Sequence, residues 1–343
     1  MSTSSVVYSV IMPCYNSAGY VENALQSIVN QTYPHWELIA INDGSTDNTL
    51  DILNGYAKQD SRIKVFSKPN GGYVSAVNEG LSKVTGDYFL FLGSDDRLDV
   101  GLFEALTNAV QQCEQFPDGI AFRALQIKKG VSIGNDAFTD FSELSYEPNC
   151  TLKEYIEKHP KGAAILTCRD TAKCFKREKL EDLRYFGRYG IDADGIFSML
   201  FYHNCSSFLS VPYDGYLWTI REGSLSGSTS IEKEIDRIRV WREFFEYLTK
   251  FNPSNVCIEA TSHISLQCYL CITLCRKFSV ACKYRRFIRE QLKFIKQTAN
   301  LYSANEFIDK KISFLSFSPP LYSILYKLHF WQGIHKLKSL FKK

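Results

Sequence analysis

Residues 89–99, FLFLGSDDRLD, run large apolar side chains straight into two adjacent acids, Asp95 and Asp96. Side by side, two carboxylates repel unless solvent, a hydrogen-bond donor or a cation lies between them. A third acid, Asp43, closes the apolar run WELIAIND at residues 36–43, and a glycine-rich turn, NGG at 70–72, lies between these acids in sequence. Carboxylates at strand ends, together with the backbone amides of such a turn, suit a divalent cation and a diphosphate. The structural alternative is a helix N-cap acid followed by an acid in the first turn, both favoured there by unpaired amides. No GxGxxG follows the first apolar run and no GxxxxGK[ST] occurs in the chain, which argues against dinucleotide and P-loop sites.

The elements that must hold these acids are legible in the first hundred residues. VVYSVIM at 6–12 is β-branched and apolar enough for a buried strand, and PCYNSAGY breaks it with Pro13, Asn16 and Gly19. Val21, Leu25, Ile28 and Val29 then recur at helical spacing until Pro34. WELIAIND reads as a second strand, and GSTDNTLDILNGYAK as a turn into a helix with Ser45 or Thr46 as its N-cap. A short strand at 63–68, a helix at 74–84 and the strand DYFLFLG complete a strand–helix alternation that predicts a largely parallel sheet covered on both faces. Ligands of such sheets sit outside the carboxyl ends of the strands, where Asp43, Asp95 and Asp96 fall.

The ordered motifs SVIMPCYNSAGYVENALQSIVNQTYPHWELIAINDGSTDNT, NGGYVSAVNEGL and GDYFLFLGSDD strongly resemble the family 2 glycosyltransferases with a GT-A fold. The resemblance is dense over residues 7–100, thins to about 226 and stops there. It implies an α/β fold, a Rossmann-like, mostly parallel sheet flanked by helices, followed here by a helical region. It implies that Pro13, Tyr15 and Asn16 line the nucleotide pocket, and that Asp43 accepts a hydrogen bond from the base, usually a uracil N3–H. Gly72 and Asn78 match the turn and helix near the ribose and diphosphate. Ser94, Asp95 and Asp96 match the DXD-type element, with Asp95 toward the ribose or sugar and Asp96 the ligand of manganese or magnesium. The chain departs from the family at Gly93, where Asp is frequent, and at Val77, where Arg is frequent. Neither change removes the metal-binding carboxylate.

An inverting transfer also needs a carboxylate across the sugar to take the acceptor's proton. YFGRYGIDADGIFSMLF resembles the family's Glu-Asp with an aromatic three residues later. Aligned on Phe197, Asp194 takes the place of that base and Ala193 replaces the Glu, with Asp192 as the alternative one step out of register. YLWTIREGSLSGS resembles the segment after the base, where Arg221 would hold diphosphate oxygens; pairing with a nearby acid such as Glu222, or plain solvation, is the other reading.

Length and composition add bounds. A chain of 343 residues with 45% apolar residues has room for one large or two medium domains, and a net charge of +3 does not argue for a nucleic-acid partner. Eleven cysteines without framework spacing read as reduced thiols. Cys268, Cys271 and Cys275, flanked by Cys257 and Cys282, fall on one helix stripe and read as core packing rather than a metal site. No secretory signal or spanning run is evident, so the expected location is cytoplasmic.

Beyond REGSLSGSTS at 221–230 the pattern becomes long helices, which predicts a catalytic domain at 1–228, a helical domain at 229–318 and a tail at 319–343. In that tail Leu321, Leu325, Leu328, Trp331, Ile334, Leu337 and Phe341 share one side, and its charged residues are all lysines. Such a helix suits the face of an anionic membrane, with docking on the protein or a dimer contact as the alternative.

The expectation is therefore a metal-dependent, inverting hexosyltransferase moving a sugar from a nucleotide-sugar, UDP-linked by preference, to a saccharide or lipid-linked saccharide in surface-glycan assembly. A catalytically degenerate nucleotide-sugar-binding scaffold on the same fold is the competing reading. A nucleotidyltransferase is disfavoured because PCYNSAGYVE lacks a glycine-rich loop followed by Arg and Lys.

Overall fold

The computed structural model describes residues 5–128, 130–135, 143–158, 169–181, 183–187, 192–221, 230–251 and 278–301. The chain divides into two compact units, Met1–Ser228 and Thr229–Lys343.

The first unit begins with the expected alternation: β1 (Tyr8–Cys14), α1 (Val21–Val29), β2 (Trp36–Asp43), α2 (Thr49–Gln59), β3 (Ile63–Lys68), α3 (Tyr73–Leu81) and β4 (Tyr88–Phe91). After it come β5 (Arg97–Leu98), α4 (Leu102–Gln111), β6 (Gly119–Lys128), β7 (Val131–Asn135), β8 (Ser145–Glu147), α5 (Leu152–Lys158), β9 (Lys173–Lys176), α6 (Ala193–His203) and β10 (Phe208–Thr219). One sheet takes them in the order β3-β2-β1-β4-β9-β6-β10-β5, with β7 against β6 and β8 against β10.

The β3-β2-β1-β4 half is parallel throughout. All eight residues of β2 are buried, as expected for a strand covered on both faces. Beyond β4 the sheet is mixed: β9 runs antiparallel to both β4 and β6, β5 antiparallel to β10, and among the described residues only β6 and β10 pair in parallel. The strand–helix rhythm that signals parallel pairing lapses after residue 100, and the mixed pairing coincides with that lapse. Helix α1 buries Val21, Ala24, Leu25, Ser27 and Ile28, the stripe its spacing predicts.

One buried acid stabilises this half of the sheet. Glu37 in β2 accepts bonds from the Ser9 hydroxyl (2.6 Å) and from the amide (2.9 Å) and hydroxyl (2.7 Å) of Thr85, and pairs with Lys64 at 2.6 Å. Burial by itself would raise its pKa, but these partners outweigh burial and hold it down to about 2.

Helix α2 corrects a local expectation. It starts at Thr49 with Asn48 at the N-cap position, and Asp47 Oδ1 accepts from the Thr49 amide at 3.1 Å. Ser45 and Thr46 do not cap it; both bond instead to Asn16, and so close the turn after β1.

The second unit includes α7 (Ile231–Phe251), α8 (Phe278–Lys283) and α9 (Arg285–Leu301), with Ile235, Ile238, Val240, Ile288 and Leu292 buried. No helix among the described residues is long and apolar enough to cross a membrane. Cys14, Cys113, Cys150, Cys174, Cys205 and Cys282 are free thiols. The expected tail at 319–343 and the stripe of Cys268, Cys271 and Cys275 lie outside the described residues.

Candidate active site

The carboxyl edge of the parallel half is built by turns that lock onto one another. After β1, Asn16 takes a left-handed backbone (φ 48°), a conformation Asn tolerates better than most residues. Its Oδ1 accepts from the Thr46 amide at 2.8 Å. Ser17 Oγ and Ser94 Oγ lie 2.8 Å apart, joining the turn after β1 to the turn after β4. Pro13 pairs with Ile41 inside the sheet, while Tyr15 stands 52% exposed beside it.

Asp43, buried at the end of β2, closes the turn before α3. Its oxygens accept from Gly71 N (3.0 Å), Gly72 N (2.8 Å) and Lys68 Nζ (2.8 Å). Gly72 has φ 86°, and this positive value is why the chain carries glycine there before α3. Asn78 on α3 grips a different segment: its Nδ2 donates to the Tyr185 carbonyl at 3.1 Å and its Oδ1 accepts from the Tyr185 amide at 2.8 Å. Lys68 and this two-point hold on Tyr185 escape sequence reasoning, because both partners are known only once the strands are in register.

The paired acids after β4 find different partners. Asp95 pairs with Arg221 at 2.5 Å, and the Arg221 guanidinium also lies 4.6 Å from the centre of the Tyr20 ring. The acid beside Arg221 in this structure is Asp95. Asp96 is buried and accepts from Tyr216 Oη (2.6 Å) and the Thr219 amide (2.7 Å) of β10. Burial, and then the Asp95 charge, push its pKa up to about 7 against the lowering effect of those bonds.

Gly93 has a reason in the same turn. A Cβ there would stand 2.7 Å from Asp96 Oδ2, so no side chain fits while Asp96 keeps its place. Val77, the other departure, is fully buried.

Further along the chain, α6 begins at Ala193. Asp192 sits at its N-cap position with φ 60° and Asp194 in its first turn, so the two acids leave the backbone differently. Asp194 Oδ1 accepts from the Gly195 amide at 2.8 Å. Burial first, and then the charges of Asp170 and Asp192, push Asp194 up to about 7. Aromatic packing fixes the helix: Phe197 stacks on Tyr185 (4.7 Å between ring centres, 24°) and meets Phe91 and Phe175 edge-on. The Tyr73 phenol, at the start of α3, is acted on by Asp170, Asp194 and Asp96 together.

A divalent cation fits the residues present at the β4 turn. Asp96 is a buried carboxylate with too little positive charge around it, next to a second acid neutralised by one arginine. The described residues hold no group of three or more His, Cys, Asp or Glu arranged for a metal. Held at Asp96, a hard cation would take one or two carboxylates, with substrate phosphates completing its shell.

Residues 9–184 match the model of glycosyl transferase family 2. A glycosyltransferase of uncharacterised role from Haemophilus influenzae is 47% identical over 214 residues, which are 59% of this chain and 78% of that protein. The putative teichuronic acid biosynthesis glycosyltransferase TuaG of Bacillus subtilis is 43% identical over 98 residues, 28% of this chain and 39% of TuaG. The chain spans about a third of the length of the first curated relatives it matches. Among solved structures, S. aureus TarS 1–349 in complex with UDP-GlcNAc superposes with a TM-score of 0.67 at 20% identity, over 95% of this chain and 92% of that one, and so shares the GT-A fold. With the family match covering half its length and the motif-bearing turns assembled at one sheet edge, the chain belongs to glycosyl transferase family 2.

Proposed function

We propose that the chain is an inverting, metal-dependent hexosyltransferase that takes a sugar from a nucleotide-sugar, UDP-linked by preference, and passes it to a saccharide in cell-surface polysaccharide assembly. The observation that carries this reading is the buried, charge-deficient Asp96 at the sheet edge, with a second carboxylate of raised proton affinity, Asp194, at the start of α6. The teichuronic acid role in the name of TuaG and the UDP-GlcNAc bound to TarS support the acceptor and donor classes.

The roles are those the family resemblance implies, set on the contacts described above. Asp43, oriented by Lys68 and two amides, presents its remaining lone pair to a base N–H. Pro13, Tyr15 and Asn16 flank that base, Gly72 lets backbone approach the phosphates, and Ser94 is oriented by Ser17. Asn78 acts through Tyr185 rather than on the donor. Asp96 would hold manganese or magnesium, whose charge stabilises the leaving diphosphate when bound. Arg221 exchanges Asp95 for a diphosphate oxygen, freeing Asp95 for the ribose or sugar hydroxyls. Asp194 takes the proton of the acceptor hydroxyl as it attacks the anomeric carbon opposite the nucleotide, so an α-linked donor gives a β-linked product.

Residues 1–228 form the catalytic domain in this reading, 229–318 a helical domain and 319–343 a tail. The basic amphipathic pattern of the tail supports a cytoplasmic enzyme held at the inner membrane face with a lipid-linked acceptor. Asp194→Asn tests the catalytic assignment: donor binding persists and transfer is lost. If Asp192→Asn has that effect while Asp194→Asn is active, Asp192 is the base.

A further inference from the structure

A second buried acid faces the proposed base from outside the motifs. Asp170, 2% exposed, accepts a short hydrogen bond from the Tyr185 hydroxyl and another from the Tyr73 hydroxyl. Lys173, fully buried on β9, adds its charge to the same cluster.

The helix that carries Asp194 is packed onto this frame. Ser198, four residues beyond Asp194 and on the same helix face, donates to the Arg169 carbonyl at 2.8 Å. Phe197, three residues beyond, stacks on the ring of Tyr185, whose hydroxyl Asp170 holds. Both helical neighbours of Asp194 therefore rest on residues tied to Asp170: Ser198 on the carbonyl of the preceding Arg169, and Phe197 on the Tyr185 ring. Tyr73 and Tyr216 both lie within reach of the Asp170 charge, and Asp192 adds to the field at Asp194. The neighbouring Arg169 lies over the Trp218 ring at 4.5 Å.

We propose that Asp170 is a positioning residue for Asp194: bonded to the Tyr185 hydroxyl, whose ring stacks on Phe197 of the helix that carries Asp194, and next in the chain to Arg169, whose carbonyl holds Ser198 of that helix, it acts as a carboxylate on Asp194 and makes Asp194 a stronger proton acceptor. The inference rests on Asp194 being the base. After burial, the Asp170 charge is the largest cause of the raised proton affinity of Asp194. Burial pushes Asp170 up as well, while the Tyr185 bond, Lys173 and the Tyr73 bond counter it, so the two carboxyls titrate together. A weak acceptor carboxylate becomes a base suited to neutral pH in this way, without a second contact to substrate.

The test follows the titration of Asp194 in the metal-free full chain by carbon-13 NMR of its carboxyl, the signal assigned by its absence in Asp194→Asn. In Asp170→Asn the Asp194 midpoint should fall by about one pH unit or more. Tyr185→Phe removes one donor from Asp170, so Asp170 keeps the shared proton more readily and the Asp194 midpoint should fall too. A midpoint unmoved in either folded variant overturns the proposal, whatever happens to activity. The pH profile of UDP-GlcNAc turnover then separates the two claims. An acid limb that moves with the midpoint supports both, whereas a fixed limb beside a falling midpoint keeps the action of Asp170 on Asp194 and removes Asp194 as the base.

Discussion

Replacing Asp96 by Asn should stabilise the metal-free protein at alkaline pH while abolishing its metal response. Asp96 is 6% exposed, its pKa rises from 3.8 to about 7, and the causes are burial and the adjacent Asp95. A folded-state pKa above the unfolded one means that the fold favours the protonated acid. The stabilisation is therefore complete below pH 4 and is lost as pH rises through about 7. The interval between 3.8 and about 7 corresponds to about 4 kcal/mol of relative destabilisation above both values. Asn keeps the shape, can accept from the Thr219 amide and can donate to Tyr216 Oη, and it removes the charge. Urea unfolding of wild type and Asp96→Asn from pH 4 to pH 8.5, without metal, measures the difference. Its stability relative to wild type should climb with pH, by up to about 4 kcal/mol near pH 8. A difference that is flat with pH, or a variant that loses stability as pH rises, would refute the picture of a charge-deficient buried carboxylate.

Three further outcomes follow from neighbouring groups. Glu37→Gln should cost about 3 kcal/mol near pH 7, because its depressed pKa, from 4.5 to about 2, contributes stability above pH 4.5 that is lost as pH falls toward 2; equal stability of the variant in urea unfolding would contradict this. Gly93→Ala should displace Asp96 and weaken manganese-dependent nucleotide binding at least tenfold by calorimetry, since its Cβ would crowd Asp96 Oδ2; unchanged affinity would show that the turn yields. Lys68→Met leaves Asp43 with its two amide bonds alone and should weaken UDP binding by about 2 kcal/mol, with an unaltered dissociation constant as the opposing result.

The first hundred residues announce their fold because β1, β2 and β4 are short apolar runs ended by Pro, Asp or Gly, and the helices between them carry apolar residues at helical spacing. The positions of Asp43, Asp95 and Asp96 at strand ends follow from those same runs. What lies further along is harder to read, since β5, β9 and β10 join the sheet through pairings between distant residues that no local period encodes. Tyr216 illustrates this: its hydroxyl supports Asp96 across 120 positions of sequence. Asp170 and Lys173 fall in a stretch without motif, and only the packing of β9 against β4 and β6 brings them beside α6. Ser45 and Thr46 show the reverse case, where good helix-capping residues are taken by a competing turn at Asn16.

The central claim is that these turns form a metal-assisted nucleotide-sugar site, and thermal unfolding of the full chain with UDP, with manganese and with both tests it most directly. A ligand that binds only the folded state raises the midpoint. The account predicts a rise with UDP that is enlarged by manganese, and loss of the manganese enhancement in Asp96→Asn. An unchanged midpoint with UDP and every UDP-sugar, in folded protein with manganese present, would contradict it and return the chain to a binding or scaffold role on this fold.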